Sequence, residues 1–242
     1  MMFNFAKRSH FLQEFVIKIV SAIHPSIEHN LDKIAVLKKA FWHCELEKIE
    51  GAYFEFGIYE GTSLYSALQN YRKLRSPIRR QFYGFDSFDD GFKYFDTKDH
   101  HPFFKEGDFK SSYARAVERF KKYPEVHLVK GYFEETIAGV DIRARYPDER
   151  CAIVFIDCDL MNPALVALEF VAPALEEGSV IILDDYWAYR GDPKRGTCGA
   201  FRAWLEHHPE IGVRWYSSYG HGGQSFIMYT RVRDQALPQI LL

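Results

Sequence analysis

The sequence predicts an α/β fold, a mostly parallel sheet with helices between its strands and an antiparallel hairpin at its end. Three observations carry this expectation. From residue 51 to residue 207 short apolar runs alternate with stretches of helical spacing, the pattern of parallel strands joined by crossover helices. One of those runs, Cys151 to Asp157, is apolar throughout until its terminal acid, as a central strand buried on both faces must be. Val213 to Tyr216 and Ser225 to Tyr229 then flank Tyr219-Gly-His-Gly-Gly223, a hairpin-like turn. With 242 residues, one α/β domain behind an N-terminal extension is the economical division.

The extension is helical in pattern. Phe11, Phe15, Ile19 and Ile23 recur at helical spacing, so a helix is expected over residues 9–23, ended by His24-Pro25. A second helix is expected over Asp32 to Ile49, with Leu37, Phe41 and Leu46 on one face. These helices can cover the domain, cap a pocket or join a second copy in a homo-oligomer, and spacing does not choose among the three.

The stretch from Gly51 to Ser63 opens the domain. Ala52 to Phe56 reads as a buried strand, Glu55, Gly57, Glu60 and Gly61 form a turn, and Thr62-Ser63 open a helix through Leu64, Leu68 and Tyr71. Glycines allow a tight turn and a close approach to a ligand, and the helix behind them points free N–H groups at it. The dinucleotide pattern Gly-x-Gly-x-x-Gly is absent, and Glu55 and Glu60 would repel a pyrophosphate. A cationic ligand, such as the amino group and sulfonium of S-adenosylmethionine, suits the two carboxylates better.

A second strand, Gln81 to Asp86, ends on an acid, and a long polar and aromatic loop follows over residues 88–110. Ser111 to Tyr123 returns to helical spacing, and Val126 to Lys130 is a third strand closed by Gly131-Tyr132-Phe133-Glu134-Glu135. After the strand at Cys151, Asn162-Pro163 reads as an N-cap with proline at the first helical position, and Gly178 stands where a C-cap glycine belongs. Ser179 to Leu183 is a fifth strand running into Asp184-Asp185, and Gly199 to His207 a further helix.

Composition removes several functions. A formal charge of −2 gives no global field, so neither nucleic acid nor an acidic membrane surface is an expected partner. The first twenty residues are too short and too charged to span a bilayer, and no small-residue cleavage site follows them. Cys44, Cys151, Cys158 and Cys198 lie far apart, without metal-ligand spacing, and read as reduced thiols of a cytoplasmic protein. Aromatic residues make up 17% and crowd the strand ends and loops, which suits a pocket for a flat small molecule as well as it suits core packing.

In an open parallel sheet, ligands bind outside the carboxyl ends of the strands. The residues at those ends are therefore candidates. Asp86 is placed to accept hydrogen bonds from ribose hydroxyls or to cap a turn, and Tyr132 or Phe133 to lie against a base or to pack in the core. Asp157, Asp159, Asp184 and Asp185 concentrate negative charge, which is costly unless a cation neutralises it. Three hard oxygen ligands suit Mg²⁺, and Asp157 is preferred to Asp159 because it ends its strand. His221, in the late turn, and His100 and His101, in the long loop, are candidate proton acceptors, and solvated loop histidines are the plainer reading of each.

Five segments in register then resemble a known family. Phe-Glu-Phe-Gly-Ile-Tyr-Glu-Gly-Thr-Ser (54–63), Gly-Phe-Asp-Ser-Phe (84–88), Gly-Tyr-Phe-Glu-Glu-Thr (131–136), Ile-Asp-Cys-Asp-Leu (156–160) and Leu-Asp-Asp-Tyr (183–186) resemble the macrocin O-methyltransferase family of class I S-adenosylmethionine-dependent enzymes. The resemblance covers roughly residues 50–230. It implies a Rossmann-like fold of seven strands, mostly parallel with an antiparallel last strand, helices on both faces, and N-terminal helices in addition. It divides the chain into a helical extension, 1–50, a methyltransferase domain, 51–230, and a C-terminal tail, 231–242.

The expected donor site is Glu55, Gly57, Glu60, Gly61, Thr62, Ser63, Asp86, Ser87, Gly131, Tyr132, Phe133 and Asp157; the resemblance implies Glu55 and Gly57 at the methionine end and Asp86 at the ribose. It implies Mg²⁺ on Asp157, Asp184 and Asp185, and transfer to a hydroxyl of a sugar or other natural-product acceptor. Asp157 or His221 is the expected proton acceptor. The sequence departs from the family at Asp89-Asp90-Gly91-Phe92, where Glu-Gly-Leu-Pro is usual, and at Met161, where tyrosine is frequent. It also lacks, at Leu160, the lysine that the related catechol enzymes keep after the first aspartate. Methyl transfer without metal, a non-catalytic binding module and an NAD-dependent oxidoreductase are the rival readings.

Overall fold

Burial of every residue from Ala52 to Phe56 makes that run a central strand, β1, and the same holds for β2 (Phe82–Asp86) and β4 (Cys151–Ile156). The computed structural model describes residues 2–94, 99–100, 104–147 and 149–231, with side chains from His10 onward. The other strands are β3 (Val126–Lys130), β5 (Leu175–Leu183), β6 (Ile211–Tyr219) and β7 (Gly223–Thr230), and the seven form one sheet in the order β3-β2-β1-β4-β5-β7-β6. All pairings are parallel except those of β7, which runs antiparallel to both β5 and β6. This is the fold class expected from the sequence.

The helices are α1 (Met2–Ser21), α2 (Pro25–Leu46), α3 (Thr62–Leu74), α4 (Tyr113–Phe120), α5 (Phe133–Thr136), α6 (Ile142–Arg145), α7 (Met161–Val171) and α8 (Gly196–His207). Alternation along β1 divides the core between the two faces of the sheet. Ala52, Phe54 and Phe56 face α7 and α8 with Phe85, Leu168, Phe201 and Trp204. Tyr53 faces α2 and α3 with Phe41, Leu64, Leu68 and Phe155. Helix α2 is therefore a layer of the core, burying Val36, Leu37, Ala40, Phe41 and Cys44. Helix α1 leaves Phe11, Phe15 and Ile19 exposed.

Several boundaries differ from expectation. The second helix begins at Pro25 rather than at Asp32, because proline suits the first helical turn and His24 Nδ1 accepts from the Ser26 amide. Asn162 is not the cap of α7. Helix α7 starts at Met161, and its cap is Asp99, whose carboxylate accepts from the amides of Met161 and Asn162, both at 2.8 Å. Gly178 ends no helix. It lies inside β5 at φ +91°, where a Cβ would stand 2.4 Å from Ile49 Cδ1. His101 and residues 232–242 lie outside the described residues.

Candidate active site

The sheet reverses its order between β1 and β4, and a cavity of about 960 Å³ opens beyond the carboxyl ends of these strands and their neighbours. Strand register sets its floor. Phe56 pairs with Ile156 and Ile156 with Leu183, so Gly57, Asp157 and Asp184 emerge side by side. Gly57 sits at φ +92°, where a Cβ would fall 1.8 Å from the Asp157 carbonyl oxygen. Gly61, at φ +76°, lies against Phe120. Both glycines are thus required by protein packing before any ligand is considered.

The expected donor residues divide by what the fold does with them. Gly57, Glu60, Thr62, Ser63, Asp86, Ser87, Tyr132, Phe133 and Asp157 line the cavity. Glu55 is fully buried on the Tyr53 face of β1, where its carboxylate accepts from the Tyr53 hydroxyl at 2.6 Å and from the Ser63 hydroxyl. Burial pushes its pKa up to about 7, and those two hydrogen bonds oppose the rise. Asp86 accepts from the amides of Ile58, Tyr59 and Phe88 at 2.9, 2.8 and 2.6 Å, so it ties the β1 turn to the β2 turn. Burial raises its pKa despite those three bonds. Phe133 belongs to the core, edge-on to Phe56, while Lys93 lies over the Tyr132 ring. Gly131 closes β3 on the far side of Asp86, its amide donating to the Asp86 carbonyl at 2.9 Å.

The loop after β2 supplies an aromatic wall. Phe92 packs against Phe104 and Phe109, all three lining the cavity, and backbone bonds join Phe92 to both Gly107 and Asp108. His100 faces Tyr94 rather than the cavity.

Asp157, Asp184 and Asp185 converge, with one carboxylate oxygen from each within 4.8 Å of the others. Such a hard, anionic donor set fits a small divalent cation. Burial and the charge of Asp184 push Asp157 well above the usual carboxylate range, and burial with Asp159 and Asp184 does the same to Asp185. Asp184 is driven the other way. Burial opposes its charge, but His29 and Lys33 outweigh that and hold it well below the range.

These two partners are the residues the sequence reading missed. His29 Nε2 lies 3.1 Å from Asp184 Oδ2, and Lys33 Nζ lies 2.9 Å from Asp157 Oδ2 and 2.8 Å from Asp184 Oδ2. The Tyr219 hydroxyl donates to Asp184 Oδ1 at 2.7 Å, and the His221 ring stands 4.5 Å from that of His29. His29 and Lys33 are one helical turn apart, so a single face of α2 carries both to the strand ends. A helix begun at Asp32 excludes His29; reading Pro25 as a helix start would have put the two on one helical face, without naming the acids they meet.

Set beside known proteins, the chain matches a family described as a methyltransferase domain over residues 54–186, more than half its length. It belongs to that family. Among solved structures it resembles the O-methyltransferase NovP, with a TM-score of 0.63 at 14% identity over 83% of this chain and 80% of the other. It resembles CalS11, a calicheamicin methyltransferase, with a TM-score of 0.63 at 22% identity over the same shares. An apo structure of CalS11, described as a TDP-rhamnose 3'-O-methyltransferase, gives 0.56 at 20% identity over 82% and 80%. At such identities the likeness is one of fold. No curated protein sequence matches significantly. Among the described residues no helix is long and apolar enough to cross a membrane.

Proposed function

We propose that the chain is an S-adenosylmethionine-dependent O-methyltransferase of the macrocin type, acting on a hydroxyl of a sugar or other natural-product acceptor with Mg²⁺ at Asp157, Asp184 and Asp185. The observation that carries the reading is the meeting of those three carboxylates beside the β1 glycine turn, in one cavity. When bound, the donor supplies an electrophilic methyl group and the cation an acid that lowers the pKa of a coordinated hydroxyl.

The chain's own residues do the rest. Gly57, Thr62 and Ser63 present the turn and helix start to the donor, Asp86 takes its ribose, and Tyr132 offers a ring face. Glu55, Gly61 and Gly131 hold that frame in place. Asp157 or His221 accepts the proton at the acceptor hydroxyl, and Phe92, Phe104 and Phe109 exclude water from it. Positioning of the two reactants is the main contribution, since a neutral thioether leaves and little charge needs stabilising.

One observation favours a second reading, methyl transfer without metal: the Lys33 ammonium already bridges Asp157 and Asp184. Calorimetric titration with S-adenosylmethionine, with Mg²⁺ and with chelator, separates the two. Donor binding with a distinct Mg²⁺ isotherm, and transfer to a nucleotide sugar that stops with chelator, supports the first. Transfer indifferent to chelator supports the second. No donor binding under any condition sinks both and leaves a binding module.

A further inference from the structure

Lys33 stands between Asp157 and Asp184, two of the three carboxylates that would hold a cation. Its ammonium lies 2.9 Å from Asp157 Oδ2 and 2.8 Å from Asp184 Oδ2. A Mg²⁺ or Mn²⁺ ion needs such oxygens at about 2 Å. Two cations sharing the same pair of oxygens would also lie within a few ångströms of each other, at a high electrostatic cost in a partly buried site.

The lysine is free to leave and its helix is not. Asp32 Oδ2 accepts from the Gly220 amide at 3.1 Å, and Gly220 leaves room for His29, whose Nδ1 would stand 2.1 Å from a Cβ there. The first turns of α2 are thereby fastened to the turn between β6 and β7. Lys33 reaches the carboxylates by a flexible four-carbon stem, and its side chain, 13% exposed, borders the open cavity. Uncompensated buried carboxylates are costly, and the Lys33 ammonium offsets part of that cost in the absence of metal.

We propose that Lys33 and a divalent cation are alternative occupants of the gap between Asp157 and Asp184, so that Lys33 sets the metal affinity of the site and withdraws when metal loads. This rests on the reading of the carboxylates as metal ligands.

The test is Mn²⁺ titration of wild type and Lys33→Met, followed by the resonance of free Mn²⁺, with donor binding measured on the same samples. Lys33→Met is expected to bind Mn²⁺ about tenfold tighter or more, as removal of a competing charge requires. Its thermal midpoint should rise further on adding Mn²⁺ than that of wild type. Equal or weaker Mn²⁺ binding in the variant overturns the proposal and leaves the metal site standing. Should the variant not fold, acetylation of wild-type Lys33, read by mass spectrometry, decides. Several-fold faster labelling at saturating Mn²⁺ supports competition, and unchanged labelling overturns it. Mn²⁺ binding to neither protein, with donor binding intact, removes the metal reading and this inference together and leaves methyl transfer in place.

Discussion

The carboxylate of Asp99 caps α7 from 62 positions away, accepting from the Met161 amide at 2.8 Å while its own carbonyl accepts from the Tyr189 hydroxyl at 3.0 Å. Leu160, which occupies the local cap position, has no side-chain acceptor to offer. One buried residue thus fastens the long loop after β2 and the segment after β5 to the helix that begins beside Asp159. Asp99→Ala is expected to cost about 1–2 kcal/mol. Asn at this position should recover part of the loss. Urea unfolding measures both, and an unshifted midpoint in the alanine variant would mean the cap contributes nothing.

Glu55 makes stability depend on pH. Its folded pKa of about 7 lies above its ordinary 4.5, so the folded chain holds the proton more tightly than the unfolded one. Its contribution is therefore fully present below pH 4.5 and is lost as pH rises through 7. Relative to Glu55→Gln, wild type should lose on the order of 3 kcal/mol across that interval. Thermal midpoints of both proteins from pH 4 to 8 check the prediction; parallel curves would contradict it.

Asp184 gathers His29, Lys33 and Tyr219 on one carboxylate. Asp184→Asn keeps the shape and removes the charge. Turnover is expected to fall about a hundredfold or more, while donor affinity, set on the β1 and β2 side of the cavity, stays nearly constant. The variant should also unfold at lower temperature, because Lys33 then faces Asp157 alone. Unchanged turnover on an identified acceptor would remove the acidic cluster from the mechanism.

Two glycines of positive φ, Gly57 and Gly139, should respond very differently to alanine. Gly57→Ala sets a Cβ 1.8 Å from the Asp157 carbonyl, whereas Gly139, at φ +68°, has nothing within 4 Å. The first is expected to cost about 3 kcal/mol or more by overpacking and the second about 1 kcal/mol by backbone strain alone. Comparable losses by thermal unfolding would show that strain, not the approach of β4, explains Gly57.

Much of the fold was legible because its signals are local. The runs of β1, β2, β3 and β4 lie where expected to within a residue. For β1, β2 and β4 the reason is burial on both faces, which demands a nearly unbroken apolar run. The acids at the strand ends were legible for a related reason: topology fixes where the carboxyl end of a parallel strand points. Helix limits near Pro25, Asn162 and Gly178 were less so. Proline begins helices as well as ending them, and the cap of α7 comes from a loop that no local pattern connects to it.

Local pattern in the chain was enough to define the sheet, the glycine turn and the row of carboxylates along one edge of it, because each depends on periodicity or on strand direction. What neutralises those carboxylates was settled by packing in three dimensions. His29 and Lys33 stand 124 and more positions from the acids they meet. Their approach depends on how α2 lies across the sheet and on the anchoring of Asp32 to the β6–β7 turn. Charge pairing across such distances leaves no periodic trace in a chain; it exists only once packing has brought the two segments together.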